Sequence, residues 1–246
     1  MTMQNVRIFN ANAIKFLAAA LMVIDHVGLL FFPTMPVFRQ IGRLSLPLFA
    51  FAVSEGCRYT KNKTKHFALL FGLAALCQIV YYVAMESLYM CILVTFSLSV
   101  LTIYALQNFK KQVFDGKLLK DKVLAASVLA VTVFLVWRVC DVLEVDYGFW
   151  GCMLPVFASL LDFRGIENVP QSLQKCDCLP ARVACMGIGL LLLSLFSFSP
   201  MQFFSLLSLP ILLLYNGKKG KRNTKYFFYI FYPTHLALLQ GLAWLI

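Results

Sequence analysis

Apolar runs long enough to cross a bilayer recur from one end of this chain to the other, and they leave little choice of fold. A helix needs about 20 predominantly apolar residues to span the hydrocarbon core. Hydropathy places nine such runs, at 10–32, 40–57, 65–85, 90–107, 123–143, 147–161, 181–198, 201–215 and 226–246. The sequence therefore predicts an all-α fold, a polytopic integral membrane helical bundle of about nine transmembrane helices in one domain, 1–246. The sixth and eighth runs are short for a full crossing and are expected to be tilted, broken or extended into the interface. Hydrophobic residues make up 61% of the chain and charged residues 13%, against about a quarter charged in soluble domains. Nothing is left over for a soluble catalytic domain. A cleaved signal peptide is not expected either. The first run carries Asp25 and His26 and ends in FFPTMP, without a small-residue cleavage pattern.

The basic residues orient the bundle. With the N-terminus inside, the connections after spans two, four, six and eight hold Arg58, Lys61, Lys63 and Lys65; Lys110, Lys111, Lys117, Lys120 and Lys122; Arg164, Lys175 and Arg182; and Lys218, Lys219, Lys221, Arg222 and Lys225. With Arg7 these are 18 of the 22 basic residues, all on one side, as the positive-inside rule requires. The opposite side has Arg39, with Arg43 and Arg138 near outer span ends. The expected topology is N-terminus cytoplasmic, C-terminus outside, in a bacterial cytoplasmic membrane. The net charge of +11 then reflects this bias and attraction to anionic membrane lipid, and no nucleic acid partner is implied. Basic residues at a cytoplasmic mouth also suit the phosphates of a soluble cofactor.

Two of the three histidines, His26 and His235, fall inside spans. An ionisable group at membrane depth costs roughly 2.5–3.5 kcal/mol when charged, and such groups mark internal sites. Lys15 and His26 are eleven residues apart, which returns the second side chain to within about 20° of the first, about 16 Å further along the axis. They share one face, with Ala19 between them, and a long thin molecule entering from the cytoplasm would touch both. Asp25 lies about 100° round from His26 and must find another partner, a basic or hydroxyl group on span two or nine. The bland reading is a structural polar pair. In the second span, Pro47 is expected to loosen the helix. Glu55 can meet Arg58 or Tyr59 at i+3 and i+4; the sharper reading leaves Arg58 free for a phosphate or adenine group. In the last span, Pro233 frees the carbonyl of Tyr229 beside His235. Tyr229, Tyr232 and His235 step three apart, a spacing that also fits packing or an interface belt.

The eight cysteines carry little. Cys57, Cys77, Cys91 and Cys185 read as small buried apolar residues. Cys176 and Cys178 form a CDC without a second pair at zinc spacing, and no metal is expected. Cys140 and Cys152 flank an outer loop and would pair if that side is oxidising.

Three segments, KFLAAALMVIDHVG, IGRLSLPLFAFAVSEGCRYT and KYFFYIFYPTHL, resemble the TraX family, named for the protein that N-acetylates F-type pilin. VDYGFWG (145–151) looks like that family's Asp-Tyr-Gly element ahead of a span. The chain departs at Cys91, where the family tends to have Asn, and in the loop with Cys176 and Cys178. TraX proteins in turn resemble the acyltransferase-3 superfamily, which has a basic residue, ten residues, then histidine in the first span; Lys15 and His26 match. The resemblance implies a membrane acetyltransferase using cytoplasmic acetyl-CoA, with His26 as catalytic base and Asp25, Glu55 and His235 around it. The expected partner fixing the His26 tautomer is Glu55, His235 or a tyrosine. Lys15, Arg58, Tyr59 and Arg43 are the candidate donor-binding residues, and Asp146, Tyr147 and Tyr232 the candidate acceptor-binding residues. The acceptor, a peptide, glycan or lipid, stays open. A proton-coupled transporter or flippase would use the same intramembrane residues, and a purely structural membrane protein is a third class.

Overall fold

The computed structural model describes residues 7–85, 89–197, 199–220 and 224–245. Lys221, Arg222 and Ile246, and the side chain of Tyr229, lie outside the described residues. Helices carry the fold: α1 (Ala11–Phe31), α2 (Pro36–Gly42), α3 (Ser45–Tyr59), α4 (Lys63–Met85), α5 (Ile92–Asp115), α6 (Leu119–Val142), α7 (Gly148–Ser159), α8 (Gln171–Cys176), α9 (Leu179–Phe196), a 3-10 segment (Pro200–Leu207), α10 (Ser208–Leu213) and α11 (Lys225–Leu245). Among the described residues, α1, α5, α6 and α9 are long and apolar enough to cross a membrane. The chain gathers into two compact units, 1–52 with 194–246, and 53–193.

In the first unit, Asn10 starts α1 by accepting a hydrogen bond from the Ala13 backbone N–H at 2.9 Å, the N-cap role that short polar side chains favour. The predicted second span is not one helix. Pro36 opens α2, the chain breaks after Gly42, and α3 starts at Ser45. Pro47 therefore sits in the first turn of α3, where a missing N–H costs nothing. It helps start that helix instead of loosening its middle. Ser45 ties the new helix to α1 by donating to the Ala18 carbonyl at 2.8 Å. The eighth span is also broken, into the 3-10 segment and α10. α11 continues through Pro233. One turn back, Thr234 donates to the Ile230 carbonyl at 2.7 Å and His235 bonds that of Phe231 at 3.0 Å. These two carbonyls follow that of Tyr229, the one that Pro233 leaves without its helical donor.

α2 returns against α1 at two glycines. A Cβ on Gly28 would stand 2.3 Å from the Phe38 Cβ, and one on Gly42 would stand 2.3 Å from the Asp25 Cβ. Small residues let the backbones approach this closely. Gly42→Ala is expected to destabilise the protein by about 1–3 kcal/mol, the range for overpacking, measured as thermal unfolding in detergent. An unchanged midpoint would show that α2 can move away freely.

In the second unit, α5 is central and packs against α4, α6 and α7. Its core contains Val100, Ile103 and Leu106, with Val136 of α6 and Cys152, Met153 and Val156 of α7. Hydroxyls line the buried side of α5. Ser99 donates to the Thr95 carbonyl at 2.9 Å and lies 2.7 Å from that of Cys152 on α7. α6 is the opposite case. Val123, Leu124, Val131, Phe134 and Leu135 are all more than half exposed, an apolar surface suited to lipid and costly in water. α9 comes close to α7 at Gly189, where a Cβ would meet the Phe157 ring at 2.8 Å.

Candidate functional site

α1 and α11 bring His26 and His235 together. The His26 and His235 rings lie edge to face, with centroids 5.2 Å apart. Lower down, Phe16 of α1 meets Phe227 and Phe228 of α11, each at 5.1 Å. Phe16 pairs with the start of α11 and His26 with its middle, so the two helices run parallel. Lys15, one residue from Phe16, has its Nζ 5.9 Å from the Phe228 ring centre.

Each histidine has its tautomer set by its own helix. The His26 Nδ1 is 2.8 Å from the Met22 carbonyl oxygen. A carbonyl can only accept, so the ring proton sits on Nδ1 and Nε2 presents a lone pair. His235 does the same with the Phe231 carbonyl. The partner that orients His26 is thus its own backbone four residues earlier, and not Glu55, His235 or a tyrosine. His235 is 6% exposed, stacked on Phe231 at 4.8 Å with Tyr232 at 5.7 Å. Its Nε2 is buried with no hydrogen bond to the protein among the described residues. Buried polar atoms in this state are rare, and this one lies beside the His26 ring.

Asp25 finds its partner on α2. Arg39 forms an ion pair with its carboxylate and reaches the Asp25 backbone oxygen at 3.4 Å. Arg43 also acts on Asp25 by charge. The expected partner on span two is therefore an arginine of the broken piece ahead of it. Arg43, grouped by sequence with the donor-binding residues, stands beside this carboxylate. At the other end of α1, Asn12 accepts from Thr224 at 3.0 Å, and the Ala11 N–H donates to the Lys218 carbonyl at 2.8 Å. This holds the basic segment before α11 against the start of α1, and Lys219 acts on Lys15 by charge.

The second unit holds a buried polar network that sequence reading did not find. Glu55 acts on Arg58 by charge, but its ion pair is elsewhere. It pairs with Arg182 at 2.6 Å, both side chains under 10% exposed. Arg182 also donates to Ser54 at 3.2 Å and to the Ala158 carbonyl at 3.1 Å, and Ser54 bonds Ser159 at 2.8 Å. Arg58 is not free. It pairs with Asp162 at 2.8 Å and Asp177 at 2.6 Å. Burial works against its charge, but the Asp177 hydrogen bond and the charges of Asp162, Asp177 and Glu55 outweigh it and raise the pKa of this guanidinium. Lys110 donates to the Ser159 and Asp162 carbonyls at 2.9 and 2.5 Å, satisfying the C-terminal end of α7. Three cations meet three carboxylates here. A charge-balanced network of this kind reads as a structural clasp, with the Arg58 Nε buried and without a hydrogen bond among the described residues. Tyr59 is 48% exposed and stacks under Arg164, 4.2 Å from its guanidinium carbon.

The 145–151 element is a turn held on both sides. Asp146 donates its N–H to the Met90 carbonyl at 2.9 Å, and Met90 donates to that of Glu144 at 2.8 Å. Tyr89 donates to the Asp146 carboxylate at 2.6 Å, and Thr95 to the Asp146 carbonyl at 2.8 Å. Tyr147 and Gly148 both take left-handed conformations, φ 60° and 58°, which glycine tolerates and tyrosine rarely adopts. Such strain is kept where the surroundings over-determine it.

A family model described as TraX protein matches residues 10–243. The chain belongs to the TraX family. It is 28% identical over 245 residues to the probable fimbrial assembly protein FimC, serogroup H1, of Dichelobacter nodosus, covering 94% of each chain. It is 40% identical over 52 residues, 21% of each chain, to the uncharacterized protein RP591 of Rickettsia prowazekii (strain Madrid E). No solved structure matches it significantly. The TraX match contains both histidines, the Asp25–Arg39 pair and the Glu55–Arg182 clasp. Of these TraX-region residues, Arg39, Lys110 and Arg182 were read only as loop charges, and Asp162 and Asp177, in the connection between two apolar runs, were not singled out. The available signal was position. Arg182 sits two residues into an apolar run, where an unpaired charge is costly.

Proposed function

We propose that this chain is an integral membrane acetyltransferase that moves an acetyl group from cytoplasmic acetyl-CoA to an amine or hydroxyl of a peptide, glycan or lipid acceptor. The observation that carries the reading is the His26–His235 pair. Two imidazoles on parallel helices are each held with Nδ1 as donor, leaving Nε2 of each as a base. Membership of the TraX family supports acyl transfer over other uses of such a pair. The fimbrial relative favours a peptide acceptor.

Acetyl-CoA supplies an activated thioester. His26 Nε2 takes the acceptor proton as the acceptor's N or O bonds to the acetyl carbon; the C–S bond breaks, and the proton passes to the leaving thiolate. His235, buried and anchored to Phe231, orients the acceptor. Lys15 and Lys219 place like charges together near the start of α1, an arrangement that an anionic phosphate group relieves. They fit the donor's phosphates better than Arg58, whose guanidinium already has two carboxylates. Asp25 acts through Arg39 as a positioning residue, and Asp146, Tyr147 and Tyr232 are assigned to the acceptor side. The parallel packing of α1 and α11 fits an odd number of spans with the termini on opposite sides, as nine spans would give, and the basic loops favour the N-terminus inside.

Calorimetry of the purified protein with CoA tests the donor. Binding is expected, weakened at least tenfold by Lys15→Ala and much less by Arg58→Ala. Absence of binding by the parent protein removes the acetyltransferase reading, and proton movement coupled to a transported solute would then assign the chain to transport. A reporter fused after Ile246 is expected to be active only outside the cytoplasm; cytoplasmic activity would remove the nine-span arrangement.

A further inference from the structure

The thiols of Cys140 and Cys152 are 3.7 Å apart, although each is a free cysteine. Cys140 is two residues from the end of α6, and Cys152 is in the second turn of α7. The turn that carries Asp146, Tyr147 and Gly148 lies between them in sequence. Cys152 is fully buried, while Cys140 is only partly covered. We propose that Cys140 and Cys152 are a disulfide site that staples α6 to α7 across this turn on the extracytoplasmic side.

Three features point there together. The two sulfurs are already in contact, facing each other from neighbouring helices. Their exposures differ in the way that stepwise oxidation needs, with an accessible thiol to attack a disulfide donor and a buried one beside it to resolve. Their place along the chain, by the charge distribution of the loops, is the outer end of α6, where disulfides persist. The side assignment rests on the topology proposed above. The reaction balances as thiol–disulfide exchange. The Cys140 thiolate attacks a protein disulfide donor, forming a mixed disulfide and releasing one donor thiol. The Cys152 thiolate then attacks the Cys140 sulfur and releases the second. Two electrons and two protons pass from the cysteine pair to the donor, which leaves as a dithiol. The consequence is a covalent brace on the turn that holds Tyr147 in its left-handed conformation.

The test is alkylation with N-ethylmaleimide of acid-trapped membranes, followed by intact-mass measurement of the unfolded protein. Two fewer alkylations than the eight cysteines of the sequence are expected, with all eight after reduction. Cys140→Ser or Cys152→Ser should leave every remaining thiol alkylated. Eight alkylations in the trapped parent protein overturn the inference. A cysteine placed by Glu144→Cys in a Cys140→Ser/Cys152→Ser background shows which reading failed. Labelling by a membrane-impermeant maleimide in intact cells, with eight alkylations in the parent, means that the disulfide alone is wrong. Protection from that reagent means that the topology is wrong.

Discussion

His26→Ala is expected to lower acetyl transfer by about 10²–10⁴-fold, the usual contribution of a positioned general base, with expression, thermal stability and CoA binding close to parental. The split between activity and fold is the point of the experiment. Among the described residues His26 hydrogen-bonds only its own helix, at the Met22 carbonyl, so its loss removes a ring contact with His235 but no hydrogen bond between elements. His235→Ala should cost less activity. Its ring is buried against Phe231 and Tyr232, and some loss of stability should accompany the change. If His26→Ala folds and transfers acetyl at parental rates while His235→Ala is dead, the base is on α11 and the two roles exchange. Full activity in both variants would make the pair a packing contact and end the catalytic reading.

Arg182→Ala should be the most damaging single change to the fold, costing about 3–5 kcal/mol, because it leaves the Glu55 carboxylate buried without its partner. The pair also anchors Ser54 and the Ala158 carbonyl, so α3, α7 and α9 loosen together. Replacing both members, Glu55→Leu with Arg182→Leu, should recover most of the loss, since a well-packed apolar pair avoids the desolvation of two charges. A double-mutant cycle on thermal unfolding in detergent measures the coupling. If Arg182→Ala costs no more than a surface ion pair, about 1 kcal/mol or less, the clasp is solvated and its structural role is wrong. Activity that falls in the double variant while stability recovers would instead place Glu55 in the chemistry.

The amino-acid sequence alone determined the properties that are local or additive. Transfer free energies sum along a segment, so the apolar runs could be read one by one, and α1 and α11 stand where their runs predicted. Rotation along one helix is also local, so the shared face of Lys15 and His26 needed no partner helix. The tautomer of His26 was within reach too, because a carbonyl four residues back is available to any helical side chain, but nothing in the sequence says that the ring turns to it. The breaks were less legible. Hydropathy averages over the window and reads 40–57 as one run, while Gly42 and Ser45 end one helix and begin another. The ion-pair partners of Glu55 and Arg58 were beyond sequence reading. Glu55 had Arg58 and Tyr59 at helical spacing, yet it pairs with Arg182, 127 residues away, and Arg58 reaches Asp177 across 119. In a low-dielectric interior a charge takes whichever partner the packing delivers, and an i+4 neighbour at the water interface offers little by comparison. Which helices pack decides that choice, and only the tertiary structure shows it.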